Sequence, residues 1–262
     1  MRLRGALAAL VLMVSPAAAQ EPVRLYAAGS LRSVLEEVAK QFADESGIKV
    51  AGTYGASGLL RDRIDRGEKA ELFASANMEH PQMLAKAGKA GPVVLFARNQ
   101  LCALAKPSLD VEPLTVLETM LDPAIKLGTS TPRADPSGDY AWELFEKADK
   151  LRPGAYAALS AKALKLSGGP DSPPPPKGRN VYGYLLEKGD ADLYLAYCTA
   201  ALEAKAEVPS LQIVQIPEAL AVGADYGLVV VMGARPDAQK LADYILSPAG
   251  QSLLSKYGFS PR

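Results

Sequence analysis

The sequence predicts an α/β fold of two lobes, each a mainly parallel sheet flanked by helices, with a ligand cleft between the lobes. Short apolar strands alternate with amphipathic helical segments, and this alternation begins again near residue 125. No compositional break marks a flexible linker between independent halves. We therefore expect lobe I to comprise residues 20–100 and 222–262, and lobe II to comprise residues 101–221.

Strand and helix alternate along the first unit. An apolar strand at 23–27 precedes apolar residues spaced three and four apart from Leu31 to Phe42, which form one face of a helix that Gly47 ends. The next predicted elements are a strand at 48–54, a helix from Leu59 to near Gly67, a strand at 72–75, a helix around 83–87, and two strands at 93–97 and 101–105 that leave the unit.

The second unit begins with a strand at 125–128 and a polar loop. Asp135 followed by Pro136 is typical of a helix N-cap with proline in the first helical position. Residues 168–178 include four consecutive prolines, which predict an exposed, polyproline-like loop. The remaining predicted elements are a helix from Asn180 to Gly189, strands at 192–197, 211–216 and 226–232, and helices at 237–246 and 249–257.

Residues 1–19 are typical of a cleavable secretory signal. Two arginines precede an apolar run at 6–14, and small residues at 17–19 place the expected cleavage between Ala19 and Gln20. No cysteine lies near this site, which disfavours a lipid anchor, and no later apolar run has the length that a membrane span needs. We expect the mature protein to be exported and free in an extracytoplasmic space.

The charge balance gives no indication of a nucleic-acid or membrane partner. Lys and Arg total 29, and Asp and Glu also total 29, so loss of the two signal arginines leaves the chain close to neutral. Proteins that bind nucleic acids or anionic membranes usually carry a basic surface. We therefore expect a small molecule as the ligand.

Two cysteines would enter an oxidising compartment, where a disulfide can form. Cys102 and Cys198 are 96 positions apart, and the sequence does not give the distance between them in space. A chain of this length can bury an adequate core without a covalent cross-link. We therefore favour two buried thiols, with a disulfide as the alternative.

The common catalytic motifs are absent from the sequence. A Ser-His-Asp triad needs a histidine, and the one histidine, His80, lies in a polar segment where we expect a solvated side chain. Ser57 lacks the glycine two places later that the hydrolase nucleophile elbow has. One histidine and two distant cysteines make no metal cluster, and no P-loop is present. We expect a binding protein without a cofactor.

Ser30 and Ser57 each follow a short strand or glycine-rich run and begin a helical segment. Ordinary N-capping is one explanation for serines at these positions. Loops at the carboxyl ends of parallel strands also line the ligand crevice of α/β proteins. Two hydroxyls and two sets of free backbone amides could then converge on one small anion. Capping and anion binding both remain open.

The second unit contains a comparable set of donors. The first turn after Asp135 should leave the amides of Ser137 and Gly138 free, although a carboxylate there opposes an anion unless it turns away to cap the helix. A further helix start includes Val181, and Tyr197 ends a strand with a hydroxyl that can donate. A capped helix and a core tyrosine are the alternative explanations for these last two.

Several of these segments together resemble the periplasmic molybdate-binding proteins of ABC importers. The resemblance covers most of the mature chain and is densest between residues 25 and 88. Each motif alone is weak, whereas their order and spacing are specific. The motifs are AAGSL at 27–31, GIKV at 47–50, GASGL at 55–59, ELFASA at 71–76, ADLYLAY at 191–197 and KYGF at 256–259.

The resemblance implies a type II periplasmic binding protein fold with an oxyanion held between the lobes. It implies hydroxyl donors at Ser30, Ser57 and Tyr197 and backbone amide donors at Ser137 and Val181. The expected ligand is molybdate or tungstate, bound as the oxyanion without a side chain on the metal. The expected partner is a membrane permease with a separate ATPase subunit, and we expect a monomer.

Other ligands and one other function are compatible with the sequence. Discrimination of molybdate or tungstate from the smaller sulfate would depend on cavity size, which the sequence does not give. A receptor for sulfate, phosphate or an organic acid is therefore the main alternative. An exported hydrolase using Ser57 as nucleophile, and a sensor that presents its closed form to a signalling protein, are further alternatives.

Overall fold

The computed structural model describes residues 21–261, so the signal peptide predicted for residues 1–19 lies outside the described residues. The strands are β1 (Val23–Ala28), β2 (Val50–Gly55), β3 (Leu72–Ser75), β4 (Val94–Ala105), β5 (Leu127–Ser130), β6 (Leu164–Ser167), β7 (Leu193–Tyr197), β8 (Gln212–Gln215) and β9 (Gly223–Val230). The helices are α1 (Arg32–Ser46), α2 (Ser57–Asp65), α3 (Glu79–Lys86), α4 (Val116–Leu121), α5 (Pro136–Leu151), α6 (Ala155–Lys162), α7 (Val181–Lys188), α8 (Cys198–Glu207), α9 (Pro236–Leu246) and α10 (Pro248–Lys256).

The strands form one mixed sheet in the order β2-β1-β3-β9-β4-β7-β5-β6, with β8 also paired to β4. Parallel pairs lie towards both ends of this order, where β1 pairs with β2 and β3, and β5 pairs with β6 and β7. The strands β4 and β9 form the antiparallel pairs between them. Helices connect the parallel strands, as parallel pairing requires, and the α/β class predicted from the alternation is confirmed.

In each of its two parallel parts, the sheet places the carboxyl ends of three strands side by side: β1, β2 and β3 in one part, and β5, β6 and β7 in the other. Ala28 at the end of β1 lies opposite Gly55 at the end of β2, and β3 runs in the same direction beside β1. The segments that follow these three strands therefore lie side by side. The same holds for the ends of β5, β6 and β7, which are parallel neighbours. The candidate site is built from these loops.

The long strand β4 continues from one half of the sheet into the other. Its first part, Val94 to Gln100, pairs with β9, and its second part, Leu101 to Ala105, pairs with β7 and β8. The prediction of two separate strands at 93–97 and 101–105 is therefore wrong. The polar stretch between them suggested a break, but Arg98 and Gln100 point to solvent from a continuous ladder. The predicted boundaries of lobes I and II stay a prediction, and we keep the two names for those residue ranges.

The core contains an unusual number of buried tyrosines. Tyr194, Tyr197 and Tyr226 are among the largest fully buried side chains, together with Phe73 and Phe96. A buried tyrosine needs a partner for its hydroxyl, because an unpaired polar group in a protein interior is costly. The partners of these hydroxyls lie at the ends of the strands described above.

Cys102 on β4 and Cys198 at the start of α8 form a disulfide, with 4.9 Å between their Cα atoms. The expectation of two buried thiols is therefore wrong. The register explains the approach, because Cys102 lies opposite Ala196 on the neighbouring strand β7, two residues before Cys198. The separation of 96 positions between the two cysteines in the sequence did not indicate this pairing. The bond anchors the segment that directly follows Tyr197.

Candidate functional site

Ser30 and Ser57 lie at the starts of helical segments, as predicted, but neither is an N-cap. The capping positions belong to Ala28 before the short 3₁₀ turn, Leu31 before α1 and Ala56 before α2, and none makes a side-chain capping bond. Ser57 is instead the first residue of α2. Ordinary N-capping therefore does not explain either serine.

Both serine hydroxyls point sideways to partners on neighbouring strands. The Ser57 hydroxyl accepts a 3.1 Å hydrogen bond from the backbone amide of Ala76, just after β3, and the side chain is fully buried. The Ser30 hydroxyl lies 3.1 Å from the hydroxyl of Tyr226 on β9. Since the Ser57 oxygen accepts from Ala76, its own hydrogen is free to be donated to another group.

Tyr197 approaches the same backbone unit from lobe II. Its hydroxyl donates to the carbonyl oxygen of Ala76 at 3.5 Å, and its ring lies 5.6 Å from the ring of Tyr226, centroid to centroid. Tyr140 on α5 donates to the same carbonyl at 3.4 Å. Both bonds are long and therefore weak. Ala76 thus links Ser57 to Tyr197, the first through its amide and the second through its carbonyl, and Tyr226 links Tyr197 to Ser30.

The tyrosines of this cluster are held as neutral donors. Burial raises the pKa of Tyr197 well above the ordinary value for a phenol, with a smaller raising effect from Tyr226 and Asp135. Burial also raises the pKa of Tyr226, against the lowering effect of its hydrogen bonds with Ser30 and Asn99. Burial also raises the pKa of Tyr140 in the same way. The hydroxyls therefore keep their protons at any physiological pH. A group of neutral O–H donors suits an anion better than a cation.

Ser137 lies in the first turn of α5 and is fully buried. Its hydroxyl has no hydrogen-bond partner among the described residues. Its backbone amide donates to Oδ1 of Asp135 at 3.1 Å, and the amide of Gly138 donates to the Asp135 carbonyl at 2.8 Å. The expectation that both amides are free donors is therefore wrong, because Asp135 caps the helix. The Ser137 hydroxyl is the unpaired polar group that remains.

The carboxyl group of Asp135 lies in a poorly solvated position. Burial raises its pKa to about 6, against the lowering effect of hydrogen bonds from the Ser137 amide and the Ser130 hydroxyl. Ser130 also lies 3.0 Å from the hydroxyl of Ser167, which in turn lies 2.8 Å from that of Tyr194. A connected set of polar groups therefore extends from Asp135 through the last residues of β5 and β6 to Tyr194 near the start of β7.

Val181 is the first residue of α7, after the predicted cap at Asn180. The Asn180 side chain accepts the amides of Tyr182 and Gly183 at 3.0 and 3.1 Å. The Val181 amide has no acceptor within its own helix, as is usual for a first position. Among residues 21–261, no hydrogen bond joins Val181 itself to the cluster of Ser30, Ser57 and Tyr197, whereas the ring of the adjacent Tyr182 lies 4.9 Å from that of Tyr194.

The two lobes touch directly beside Ser57. The amide of Gly58 donates to the carbonyl of Ala134 at 2.9 Å, and Asn99 on β4 donates to the Thr199 hydroxyl at 2.8 Å. These bonds join the start of α2 to the loop before α5, and the crossing strand to the start of α8. The predicted donors Ser30, Ser57 and Tyr197 are thus brought together, and Ser137 lies three residues from the contact at Ala134.

His80 is buried with 4 % of its surface exposed, so the expectation of a solvated side chain is wrong. Neither ring nitrogen has a hydrogen-bond partner among the described residues. Burial lowers its pKa to about 4, with a further lowering from Arg61. The segment begins helix α3, and the polar residues around His80 in sequence did not indicate its burial. The site residues that sequence reasoning missed are Tyr140 and Tyr226.

Within residues 21–261, every helix is too short or too polar to span a membrane. No group of three or more His, Cys, Asp or Glu side chains there could hold a metal ion. Positively charged side chains are also missing from the hydrogen bonds of Ser30, Ser57, Ser137 and Tyr197. The arrangement offers hydroxyls and helix starts, and these are donors for a small anion.

Known proteins share both the sequence pattern and the fold of this chain. An uncharacterized protein of Pasteurella multocida is 36% identical over 244 residues, covering 91% of this chain and 98% of the relative. The molybdate-binding protein ModA of Escherichia coli is 25% identical over 249 residues, covering 91% of this chain and 88% of the relative. The resemblance predicted from the motifs is confirmed by such relatives.

Solved structures give the same picture of the fold. The periplasmic molybdate-binding protein of Azotobacter vinelandii superposes with a TM-score of 0.74 at 19% identity, over 92% of this chain and 99% of that one. The sulfate-binding protein SubI of Mycobacterium tuberculosis superposes with a TM-score of 0.77 at 18% identity, over 92% of this chain and 87% of that one. The predicted type II periplasmic binding protein fold is thereby confirmed. The family model of bacterial extracellular solute-binding proteins matches residues 23–260, and the chain therefore belongs to that family.

Proposed function

We propose that this protein captures molybdate, and also tungstate, between its two lobes. The observation that carries the proposal is the cluster in which Ser30, Ser57 and Tyr197 meet through Ala76 and Tyr226. Ser137, with its buried and unpaired hydroxyl, adds a donor from lobe II. The likeness to ModA supports molybdate as the ligand.

The physical case for a tetrahedral dianion rests on the kind of donor. Such an ion loses its hydration shell on entering a buried site, and neutral O–H and N–H groups aimed inward replace it. The helix starts at Ser57, Ser137 and Val181 add partial positive charge without a fixed cation. A lysine or arginine would hold many different anions, whereas hydroxyls and amides select by position and cavity size.

The main alternative ligand is another small anion such as sulfate, phosphate or an organic acid. One observation supports this alternative. The sulfate-binding protein SubI superposes on this chain with a TM-score of 0.77, against 0.74 for the molybdate-binding protein of Azotobacter vinelandii. The cavity size, which separates sulfate from the larger molybdate, then decides between them. The donors Ser30, Ser57 and Tyr197 would serve either ion.

The role that follows is transport and involves no chemical step. The ligand would favour the closed arrangement by contacting both lobes, and a membrane permease would recognise that arrangement. A separate subunit would hydrolyse ATP, and the receptor would act as a monomer in the periplasm. A hydrolase based on Ser57 has no support in the geometry, since the Ser57 hydroxyl accepts from the Ala76 amide and the ring of His80 makes no hydrogen bond to Ser57.

Calorimetry on the protein without residues 1–19 tests the proposal. We expect molybdate and tungstate to bind tightly and sulfate to bind weakly, with competition between them for one site. Phosphate and a small organic acid complete the series. Absence of heat with either metal oxyanion, or tighter binding of sulfate, would contradict the assignment of the ligand.

A further inference from the structure

The carboxyl group of Asp135 occupies the place where lobe II is expected to offer donors to the ligand. Its Oδ1 accepts the Ser137 amide at 3.1 Å, at the N-terminus of α5. The start of a helix is also where a bound anion is most stabilised. An ionised Asp135 therefore takes the same amide and the same favourable field that a ligand oxygen would use.

Asp135 is half-buried, and among the described residues no cation lies close enough to its carboxyl group to neutralise it. The titratable groups around it are Asp139 on the same helix, Tyr182 on α7, and Tyr194 and Tyr197 on β7. The backbone of Gly168 closes another side, since a Cβ added there would lie 2.4 Å from Oδ2 of Asp135. The group therefore has little room to swing away from the helix start.

A second observation points to a ligand at this turn. The Ser137 hydroxyl is fully buried and unpaired, although a buried hydroxyl normally has a partner. It belongs to the same first turn of α5 that Asp135 caps. The helix start at α7, where Val181 lies, is capped by Asn180, which carries no charge. The side chains that cap α5 and α7 thus differ in charge.

Resting on the proposed function, we propose that Asp135 is a specificity-determining residue that must take up a proton from solvent before the site can hold a dianion. Protonated, it removes the repulsion between two negative charges and can still accept the Ser137 amide. Its hydroxyl can also donate to an oxygen of the ligand. Binding of each molybdate ion is then coupled to the uptake of up to one proton.

An ionised Asp135 in the complex would have a different chemical consequence from a protonated one. If Asp135 stayed ionised in the complex, it would act as an acceptor and would favour an anion that carries its own proton, such as hydrogen phosphate. The two arrangements therefore predict opposite preferences and opposite effects of removing the charge. Poor solvation makes the carboxyl group easier to protonate than an ordinary aspartate, since burial raises its pKa to about 6, and a bound dianion beside it would favour the proton further.

Molybdate affinity measured from pH 6 to 8.5 tests the proposal, using calorimetry in buffers of different ionisation heat. For the natural sequence, we expect the affinity to fall as pH rises, by up to about tenfold per pH unit. The buffer dependence of the heat should report proton uptake. In Asp135→Asn, which keeps a capping side chain, molybdate should bind at least tenfold more tightly at pH 8 with little pH dependence.

A matched control is Asp149→Asn, because Asp149 also accepts two backbone amides in lobe II, those of Gly154 and Tyr156, but does so at the start of α6. It should follow the natural sequence at every pH. Thermal unfolding of each variant confirms that it is folded. Two outcomes would overturn the inference about Asp135 and leave the proposed function standing. One is an equal pH dependence of molybdate affinity in Asp135→Asn and the natural sequence. The other is phosphate binding that is tighter than molybdate binding in the natural sequence and is abolished in Asp135→Asn. Failure of molybdate to bind at any pH would instead overturn the proposed function.

Discussion

The backbone amide of Gly58, in the first turn of α2, donates a 2.9 Å hydrogen bond to the carbonyl oxygen of Ala134, in the loop before α5. This bond joins lobe I to lobe II one residue after Ser57. An added Cβ on Gly58 would lie 2.4 Å from the Arg133 oxygen and 2.8 Å from the Ala134 oxygen. Both are backbone atoms, so only separation of the lobes would make room. Glycine at this position therefore permits the closed contact.

The substitution Gly58→Ala should hold the lobes apart without unfolding either one. We expect molybdate affinity to fall by tenfold or more, about 1.4 kcal/mol, because fewer donors reach the ligand together. Small-angle scattering with molybdate present should give a larger radius of gyration than the natural sequence. The control is Gly223→Ala, where an added Cβ meets no atom within 4 Å. An unchanged affinity in Gly58→Ala would show that this contact does not limit closure.

The substitution Tyr197→Phe should separate ligand binding from packing. The ring contacts with Tyr140 and Tyr226 persist in phenylalanine, and the hydroxyl's present bond to Ala76 is long at 3.5 Å. We expect little change in the free energy of unfolding and a loss of about 1–3 kcal/mol in molybdate binding. Tyr140→Phe removes a hydroxyl from the same carbonyl and should weaken binding less. The account of Tyr197 fails if calorimetry finds its variant as tight as the natural sequence.

Reduction of the disulfide between Cys102 and Cys198 should destabilise the protein. The bond closes a long loop, with a sequence separation of 96, and such a cross-link restricts the unfolded chain. We expect the free energy of unfolding to fall by about 2–5 kcal/mol in a denaturant titration with reductant. The double variant Cys102→Ala and Cys198→Ala should match the reduced protein and should not respond to reductant. Detection of free thiols in the unreduced, denatured protein would contradict the bond.

The buried imidazole of His80 should make the protein less stable in acid. Its pKa is about 4 in the folded protein against an ordinary value of 6.5, so the unfolded chain binds a proton that the folded chain does not. This contribution is intact above pH 6.5 and is lost as pH falls towards 4, about 3 kcal/mol in all. Asp135 acts in the opposite direction, because its raised pKa favours the folded state at low pH. The difference between the natural sequence and His80→Leu isolates the histidine.

A single histidine makes the test direct, since one imidazole signal is observable by NMR. His80→Leu removes no side-chain hydrogen bond, because neither ring nitrogen has a partner among the described residues. We expect the signal to titrate near pH 4 and the acid slope of stability to become shallower in the variant. A titration near pH 6.5 would mean that the ring is solvated after all.

The strands and the positions of the first site residues could be predicted because their signals are local. The apolar run from Val23 and the apolar spacing after Leu31 reflect burial of one face of a local element. The caps at Asp135 and Asn180 depend on a side chain that accepts a backbone amide only two or three residues further along the chain. The sequence analysis did not predict the alanine-rich helices α6 and α8, because their apolar and polar positions do not alternate clearly. Small side chains blur the difference between buried and exposed faces.

Contacts between distant parts of the chain could not be predicted. The continuity of β4 depends on pairing with β9 more than a hundred residues away, and the disulfide depends on the register of β4 against β7. Tyr140 and Tyr226 belong to the site only because the sheet brings them to Ala76 and Ser30. For the same reason, the polar neighbours of His80 in sequence gave no indication of its burial in space.

The affinity of the double variant Ser30→Ala and Ser57→Ala for molybdate tests the central claim most directly. In the proposed site, Ser30 and Ser57 supply the lobe I hydroxyls, and each loss should cost about 1–3 kcal/mol because a buried oxyanion is left short of a donor. The control, Ser160→Ala, removes a hydroxyl that donates to Tyr156 within α6. By calorimetry, the account predicts binding weakened by at least a hundredfold in the double variant and unchanged in the control. Normal binding by the double variant would place the site elsewhere.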